Sequence, residues 1–488
     1  MSRESIIFAT LILYKLVLVG IGFWASKRTH STEDFFIGGK TLGPWVAAIS
    51  SSASASSAWS LLGVSGAAYV MGYSALWLFP AVIGGYFFNW LWLAPKIYHY
   101  GEKTGAVTLT ELLAGKGRWS KPVIYLSTFA IVFSFSFYIA AQFQAAGGTF
   151  ASSFNMDAQG AIILGTLIIL IYTLLGGFWA VSVTDTLQGL LMAVIAFILP
   201  IFALIHVGGI AELSSGLTQE FTAQQLSLTG QHSGWMALAF VLGMLGIGLG
   251  NPGQPHVVNR FMALKDEKAI RTAKYIGIGW PIIVYGGMLV LGLCARIIVP
   301  SADNNEQVLF GVTSLLFHPI AAGIIIAAVL SAIMSTADSQ LLVAASSLSY
   351  DLKKDLSSQK SLLLSRLAVG FMCLISMMIA LYAPEAIFSR VLFAWAAIGS
   401  AFAPLLIVLL MGQPVKGSYR FWAIFVGFTL TIFFNWQENS PGDILERVLP
   451  FIASGIIAYL GREPKLAAQC SSFMSNKSFE NEHVSKSQ

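Results

Sequence analysis

Ser50-Ser51-Ser52-Ala53-Ser54-Ala55-Ser56-Ser57 lies in the middle of an otherwise apolar stretch from Trp45 to Val70. A run of small hydroxyl residues loosens a helix and offers oxygen atoms where lipid offers none. Further along, Gly246-Ile247-Gly248-Leu249-Gly250-Asn251-Pro252-Gly253-Gln254-Pro255 interrupts another apolar segment and removes backbone donors from it. In a bilayer every backbone polar group needs a partner, so a segment that cannot stay helical at mid-depth must line a cavity or an ion site. Small residues also serve close helix packing. Two weak segments at matching positions, five helices apart, point instead to a carrier built from inverted repeats.

The rest of the chain agrees with a membrane solvent. Of 488 residues, 56% are hydrophobic and only 10% charged, too few to cover a soluble core of this size. Apolar segments of about 20 residues recur from Ser5 to Leu460. They predict an all-α polytopic protein with about thirteen transmembrane helices: 5–26, 45–70, 74–97, 123–145, 161–175, 186–206, 235–251, 275–299, 319–346, 362–381, 387–411, 421–436 and 444–460. Residues 1–460 then form one integral domain, with helices two to six repeated as seven to eleven. Residues 461–488 form a polar, Ser-rich cytoplasmic tail expected to be disordered. The first apolar stretch lacks an Ala-x-Ala cleavage pattern and is expected to remain as a helix.

Charge orients this layout. With thirteen spans, 23 of the 28 Lys and Arg residues fall on one side, Arg260 among them. Only Arg3, Arg296, Arg390 and Arg447 fall on the other, and Lys15 lies inside the first span. The positive-inside rule therefore predicts an outside N-terminus and a cytoplasmic C-terminus. The net charge of +5 reads as topology rather than nucleic-acid binding. Cys294, Cys373 and Cys470 are widely spaced and are expected to be free thiols.

A third polar cluster, Ser331, Ser335, Thr336, Asp338, Ser339 and Gln340, sits in the ninth span. Ser335, Asp338 and Ser339 share a helix face. Hydroxyls, carbonyls and one carboxylate suit a hard alkali cation, whereas a transition metal would want His or Cys. A carboxylate within a span is costly and marks function by default. Asp185 opens the sixth predicted span, where it reads either as an N-cap or as a relay for a cation leaving inward. Lys15 reads as a snorkelling lysine and His256 as a residue of the cytoplasmic end. Nucleophile-elbow, phosphate-cradling and metalloprotease motifs do not occur in the sequence, so an enzyme is not expected and no cofactor beyond sodium is implied.

With these residues in hand, the chain resembles the sodium:solute symporter family, most closely its bacterial sodium/proline symporters. The resemblance rests on Gly38-Gly39-Lys40-Thr41-Leu42-Gly43-Pro44, on Gly176-Gly177-Phe178-Trp179-Ala180-Val181-Ser182 with Thr184-Asp185 and Gln188, and on Gly253-Gln254-Pro255-His256 with Arg260-Phe261-Met262-Ala263. It rests also on Met334-Ser335-Thr336 with Ser339-Gln340-Leu341-Leu342. It implies a LeuT-type 5+5 fold and inward solute transport by alternating access, driven by sodium. By position, sodium would be held by carbonyls of Ala53, Ser56 and Ala332 and by the hydroxyls of Ser335 and Thr336. A further cation site would use Asp185, Ser335, Asp338 and Ser339, with Asp338 standing where such members usually carry serine. Ala55 replaces an aspartate of the proline symporters, and Ile247 and Asn251 replace aromatic residues. Ser57, Gln142, Asn251, Pro255 and Trp395 are expected to shape the solute pocket. An amino acid such as proline is the first expectation for the solute. The alternatives are another carboxylate-bearing solute, whose charge would suit broken-helix N-termini, or a transport-like sensor that reports to a separate partner.

Overall fold

The computed structural model describes residues 2–26, 42–154, 156–175, 178–352 and 358–463. The Gly38–Thr41 part of the first motif, Gly176-Gly177, Cys470 and most of the polar tail lie outside these. Among the described residues the regular structure is helical, apart from two isolated bridges. Helix α1 covers Arg3–Ser26, and the first broken helix consists of α2 (Pro44–Ala55) and α3 (Val64–Met71), joined through a π turn at Trp59–Gly63. The third predicted span is α4 (Leu78–Phe88), continued through Ala94–Thr104. Then come α5 (Ser120–Phe154), α6 (Ala158–Leu175) and α7 (Phe178–Val207). The second broken helix is α8 (Gly234–Gly246), a 3-10 turn at Ile247–Gly253, and α9 (Pro255–Met262). Among the helices that follow are α10 (Glu267–Ile298), α11 (Pro319–Ser346), α12 (Ser358–Tyr382), α13 (Ile387–Leu410), α14 (Gly417–Asn435) and α15 (Leu449–Leu460), with shorter helices such as Val308–Leu316 between them.

Among the described residues, ten stretches are long and apolar enough to cross a membrane. The other predicted spans are shorter or divided: α6 and α15 have 18 and 12 residues, and the second is split between α2 and α3. Helices α11 and α13 form the centre, with 83% and 89% of their apolar windows buried, against 17% for α1. The outward faces of α1 and α7 carry Leu13, Leu16, Phe197, Phe202 and Ile205, all exposed, which is the surface lipid requires.

Two boundaries differ from the sequence expectation for identifiable reasons. Helix α5 runs on past Ala145 to Phe154 because Gly147 is a contact rather than a breaker: a Cβ there would lie 2.4 Å from Ile162 of α6. Helix α7 begins at Phe178, not Thr186, so Asp185 stands well inside a helix and is not an N-cap.

Candidate ion and solute site

The break in the first helix is held open by side chains. Helix α2 ends at Ala55, and Ser56 is off the helical conformation, at φ −103° and ψ 86°. The freed Ala58 N–H donates to Gln142 Oε1 of α5 at 3.0 Å. Trp280 Nε1 of α10 donates to Ser56 Oγ at 2.9 Å. Ser57 Oγ accepts from Trp59 N at 3.1 Å and from the Tyr138 hydroxyl at 3.3 Å. These bonds supply partners that a broken helix would otherwise lack.

Against this break lies the polar face of α11. Ser335 Oγ is 3.2 Å from both Ala53 O and Ala332 O, and Thr336 Oγ1 donates to Ser54 O at 3.0 Å. Four of the five expected sodium ligands, Ala53, Ala332, Ser335 and Thr336, are thus brought together, fully buried, as an oxygen-only set. Such a set fits a hard monovalent cation. Ser56 sits at the same break with its hydroxyl already engaged by Trp280.

The residues expected for a further cation separate into two places. Asp185 and Ser339 share one: Arg260 Nη2 is 2.7 Å from both Asp185 Oδ2 and Ser339 Oγ. Arg260 Nε donates to Ser50 Oγ at 2.8 Å, and Ser50 Oγ and Ser54 Oγ each donate to Asp185 Oδ2 at 3.0 Å. Asp338 turns elsewhere and accepts from Thr173 Oγ1 of α6. Arg260, counted from sequence among the cytoplasmic loop charges, is 2% exposed. The short run before the next loop is α9, whose whole length is buried, and a hydropathy reading cannot see this. His256, expected at the cytoplasmic end, is also fully buried, with its ring against Phe135 and Tyr138.

Beside this oxygen set is a narrow cavity of about 20 Å³, room for little more than a water. Ala55, Trp59, Tyr86, Tyr138, Asn251 and Trp395 are among its walls. Asn251 and Trp395, two of the residues expected at a solute pocket, line this cavity. Ser57 and Gln142 stand behind the wall, bonded to Tyr138 and to the Ala58 backbone. Pro255 opens α9 at a position where a missing N–H costs nothing. Trp59, Tyr86 and Tyr138 were not foreseen, since aromatic residues are common in every span. An orphan polar atom singles one of them out: the Trp59 indole nitrogen is buried without a partner.

Two interrupted helices around a central oxygen cluster, with a cavity alongside, define a cation-coupled secondary carrier. The chain belongs to the sodium:solute symporter family, whose model matches residues 35–427. It is 33% identical over 476 residues to the osmoregulated proline transporter OpuE of Bacillus subtilis, covering 93% of this chain and 95% of that one. It is 31% identical to the sodium/proline symporter of Staphylococcus aureus, covering 93% and 91%. Among solved structures, a sodium-coupled sialic acid symporter superposes with a TM-score of 0.75 at 18% identity, covering 94% of this chain and 99% of the other. The transporter MhsT in complex with L-phenylalanine superposes with a TM-score of 0.55 at 15% identity, covering 86% and 98%. The fold is thus of the LeuT type. The chain is a multi-pass symporter of a bacterial family rather than an enzyme, with sodium as its coupling ion.

Proposed function

We propose that this symporter imports proline, or a closely similar amino acid, through the bacterial inner membrane. The observation that carries this reading is the cavity's position, walled by Ala55 directly beside the oxygen cluster of Ala53, Ala332, Ser335 and Thr336. A solute there touches the same helix break that binds sodium, so each ligand favours the backbone arrangement the other needs. The names of the relatives supply the solute. Asn251 in the wall, together with the unpartnered Trp59 indole N–H, favours a second reading: a carboxylate-bearing solute with more hydrogen-bonding groups than proline.

The breaks after α2 and after α8 would occupy equivalent places in two inverted halves, comprising predicted helices two to six and seven to eleven. The N-terminus lies outside and the C-terminus in the cytoplasm, which is the orientation the Lys and Arg distribution favours. Removing the buried Arg260 from the loop count leaves that asymmetry intact. One sodium crossing about 100 mV supplies about 2.3 kcal/mol, sufficient for about fifty-fold accumulation before any concentration gradient is added.

The test is uptake of radiolabelled proline into proteoliposomes with and without an inward sodium gradient. Uptake that requires sodium and competes with no other amino or organic acid establishes the reading. Competition by another carboxylate-bearing solute at lower concentration transfers the assignment to that solute.

A further inference from the structure

A second cavity, of about 390 Å³, lies at the end of the bundle that the Lys and Arg distribution favours as cytoplasmic, and it shares no wall residue with the ion and solute site. Its walls come from the end of Ala94–Thr104, the short helix Leu109–Ala114, and the starts of α5 and α14. Lys103, Lys116 and Arg420 line it, with one carboxylate, Glu111. That carboxylate is already engaged, because Glu111 Oε2 accepts the Val107 N–H at 2.8 Å. Among the described residues none of the three basic side chains is in an ion pair. Three cations against a single committed carboxylate make a concave wall that attracts an anion.

Arg420 is the fixed member. Its Nε donates to Val415 O at 2.8 Å and its Nη1 to Leu113 O at 3.0 Å, which uses two of five N–H groups and leaves Nη2 without a partner among the described residues. The guanidinium rests on the backbone of Gly115: a Cβ there would lie 2.4 Å from Nη1, and Gly115 is at φ +61°, where a side chain is strained. Ser120 Oγ closes the same turn by donating to Gly115 O at 2.9 Å. The turn thus holds a guanidinium fork at the cavity wall, and that fork matches phosphate oxygens in geometry and charge. Lys103 and Lys116 are exposed, and their flexible stems can fold over an anion seated there.

The cavity also borders the lipid surface. Ile124 of α5 is in its wall, the adjacent Tyr125 is exposed, and so is Phe129 one turn further along. On α14, Trp422 and Phe425 are exposed within five residues of Arg420, and Phe428 packs edge-on against Phe129 of α5. Tyr and Trp at the end of a span mark the headgroup level. A soluble anion has no use for this apolar border, whereas a phospholipid uses both parts, its phosphate in the basic cavity and its acyl chains along α5 and α14.

We propose that this cavity binds the headgroup phosphate of an anionic phospholipid, with Arg420 as the fixed ligand and Lys103 and Lys116 as the charges that close over it. Arg118 and Lys121 are exposed on the same loop but do not line the cavity, so a seated headgroup is separable from a general attraction to an anionic membrane. The inference is independent of which solute is carried.

The test is the thermal midpoint of the purified full-length protein in detergent, titrated with phosphatidylglycerol, with phosphatidylcholine, and with glycerol phosphate and inorganic phosphate as free anions. A ligand that binds the folded state raises the midpoint as its concentration passes Kd. Phosphatidylglycerol should raise it saturably, and the other three should not at the same concentration. In Lys103→Gln/Lys116→Gln, half-saturation should need about tenfold more phosphatidylglycerol, whereas Arg118→Gln/Lys121→Gln should shift it by less than about twofold. All four side chains are exposed, so both double variants should keep the wild-type midpoint without lipid. Equal stabilisation by phosphatidylcholine or by either free anion overturns the proposal. So does an equal shift in the two double variants, which would make the attraction a property of the whole basic face.

Discussion

Arg260 Nη2 and Asp185 Oδ2 lie 2.7 Å apart, with both side chains sealed from solvent, and the pair joins α9 to α7 across the end of α2. The guanidinium also reaches Ser50, Ser339 and the carbonyl of His256, so four of its five N–H groups have partners. Breaking such a pair from one side strands a buried charge and costs about 3–5 kcal/mol, whereas neutralising both sides costs far less. Arg260→Gln and Asp185→Asn should each lower the thermal midpoint of the purified protein strongly, and the double variant should recover most of the loss. Arg260→Lys should fall between, since a point charge cannot serve Asp185, Ser50 and Ser339 together. A double variant as unstable as the worse single would show that the bond does not govern stability.

Glu306 provides a pH-dependent test at the opposite end of the assembly. Lying between α10 and α11, it accepts the Ile387 and Phe388 N–H groups, at 3.0 and 2.7 Å, at the start of α13. Burial pushes its carboxyl above the usual range, against the opposing pull of the two backbone donors and Arg390. A raised folded-state value means that the folded protein holds the proton more tightly. The contribution is therefore complete below the unfolded value of about 4.3 and is lost as pH rises through the raised value. The difference in thermal midpoint between wild type and Glu306→Gln should shift against the wild type as pH climbs through that window. A difference independent of pH would count against this account.

What sequence could reveal follows from what each signal measures. Apolar length located the helices, and the two weak segments located both breaks, because lipid makes an interrupted helix costly unless it is used. The oxygen cluster of α11 was legible because hydroxyls repeated at helical spacing in an apolar span seldom arise from packing needs alone. Arg260 was misplaced because hydropathy treats any arginine near a loop as solvated, and only the packing of α9 shows otherwise. Lys15, read as a snorkelling lysine, instead meets Met334, more than three hundred residues away, which no local reading of α1 could show. Gln142 does stand near the cavity, but its bond to the Ala58 backbone could be read only from the break itself.

Close backbone contact holds the second break in place. A Cβ at Gly399 would lie 2.4 Å from Gly250 Cα, and one at Gly250 would lie 2.4 Å from the Trp395 indole. Trp395 in turn donates to Ile247 O at 3.1 Å, and Gln254 donates to Trp395 O at 3.0 Å. Gly399→Ala should force α13 away from the break, at a cost of about 1–3 kcal/mol, and Gly399→Val should cost more. The measurement is the thermal midpoint together with solute affinity, because Trp395 and Asn251 line the cavity. Unchanged affinity and stability in Gly399→Val would mean that the two helices do not need this approach.

Ser335 and Thr336 offer the sharpest separation of stability from coupling. Their hydroxyls bond the carbonyls of Ala53, Ala332 and Ser54, and such bonds contribute about 0.5–1.5 kcal/mol each. Ser335→Ala should therefore leave a folded protein, with a sodium-free thermal midpoint only slightly below wild type. The same substitution removes an oxygen that the cation would use, and a loss of about 1.4 kcal/mol in binding is a tenfold change. Half-maximal uptake should then need at least about ten times more sodium, with a similar rise in Thr336→Ala and little change in Thr336→Ser, which keeps the hydroxyl. The combination to look for is small stability loss with large sodium dependence. If both alanine variants lose stability and sodium dependence in proportion, the hydroxyls act by tying α11 to α2 and the coupling ion binds elsewhere.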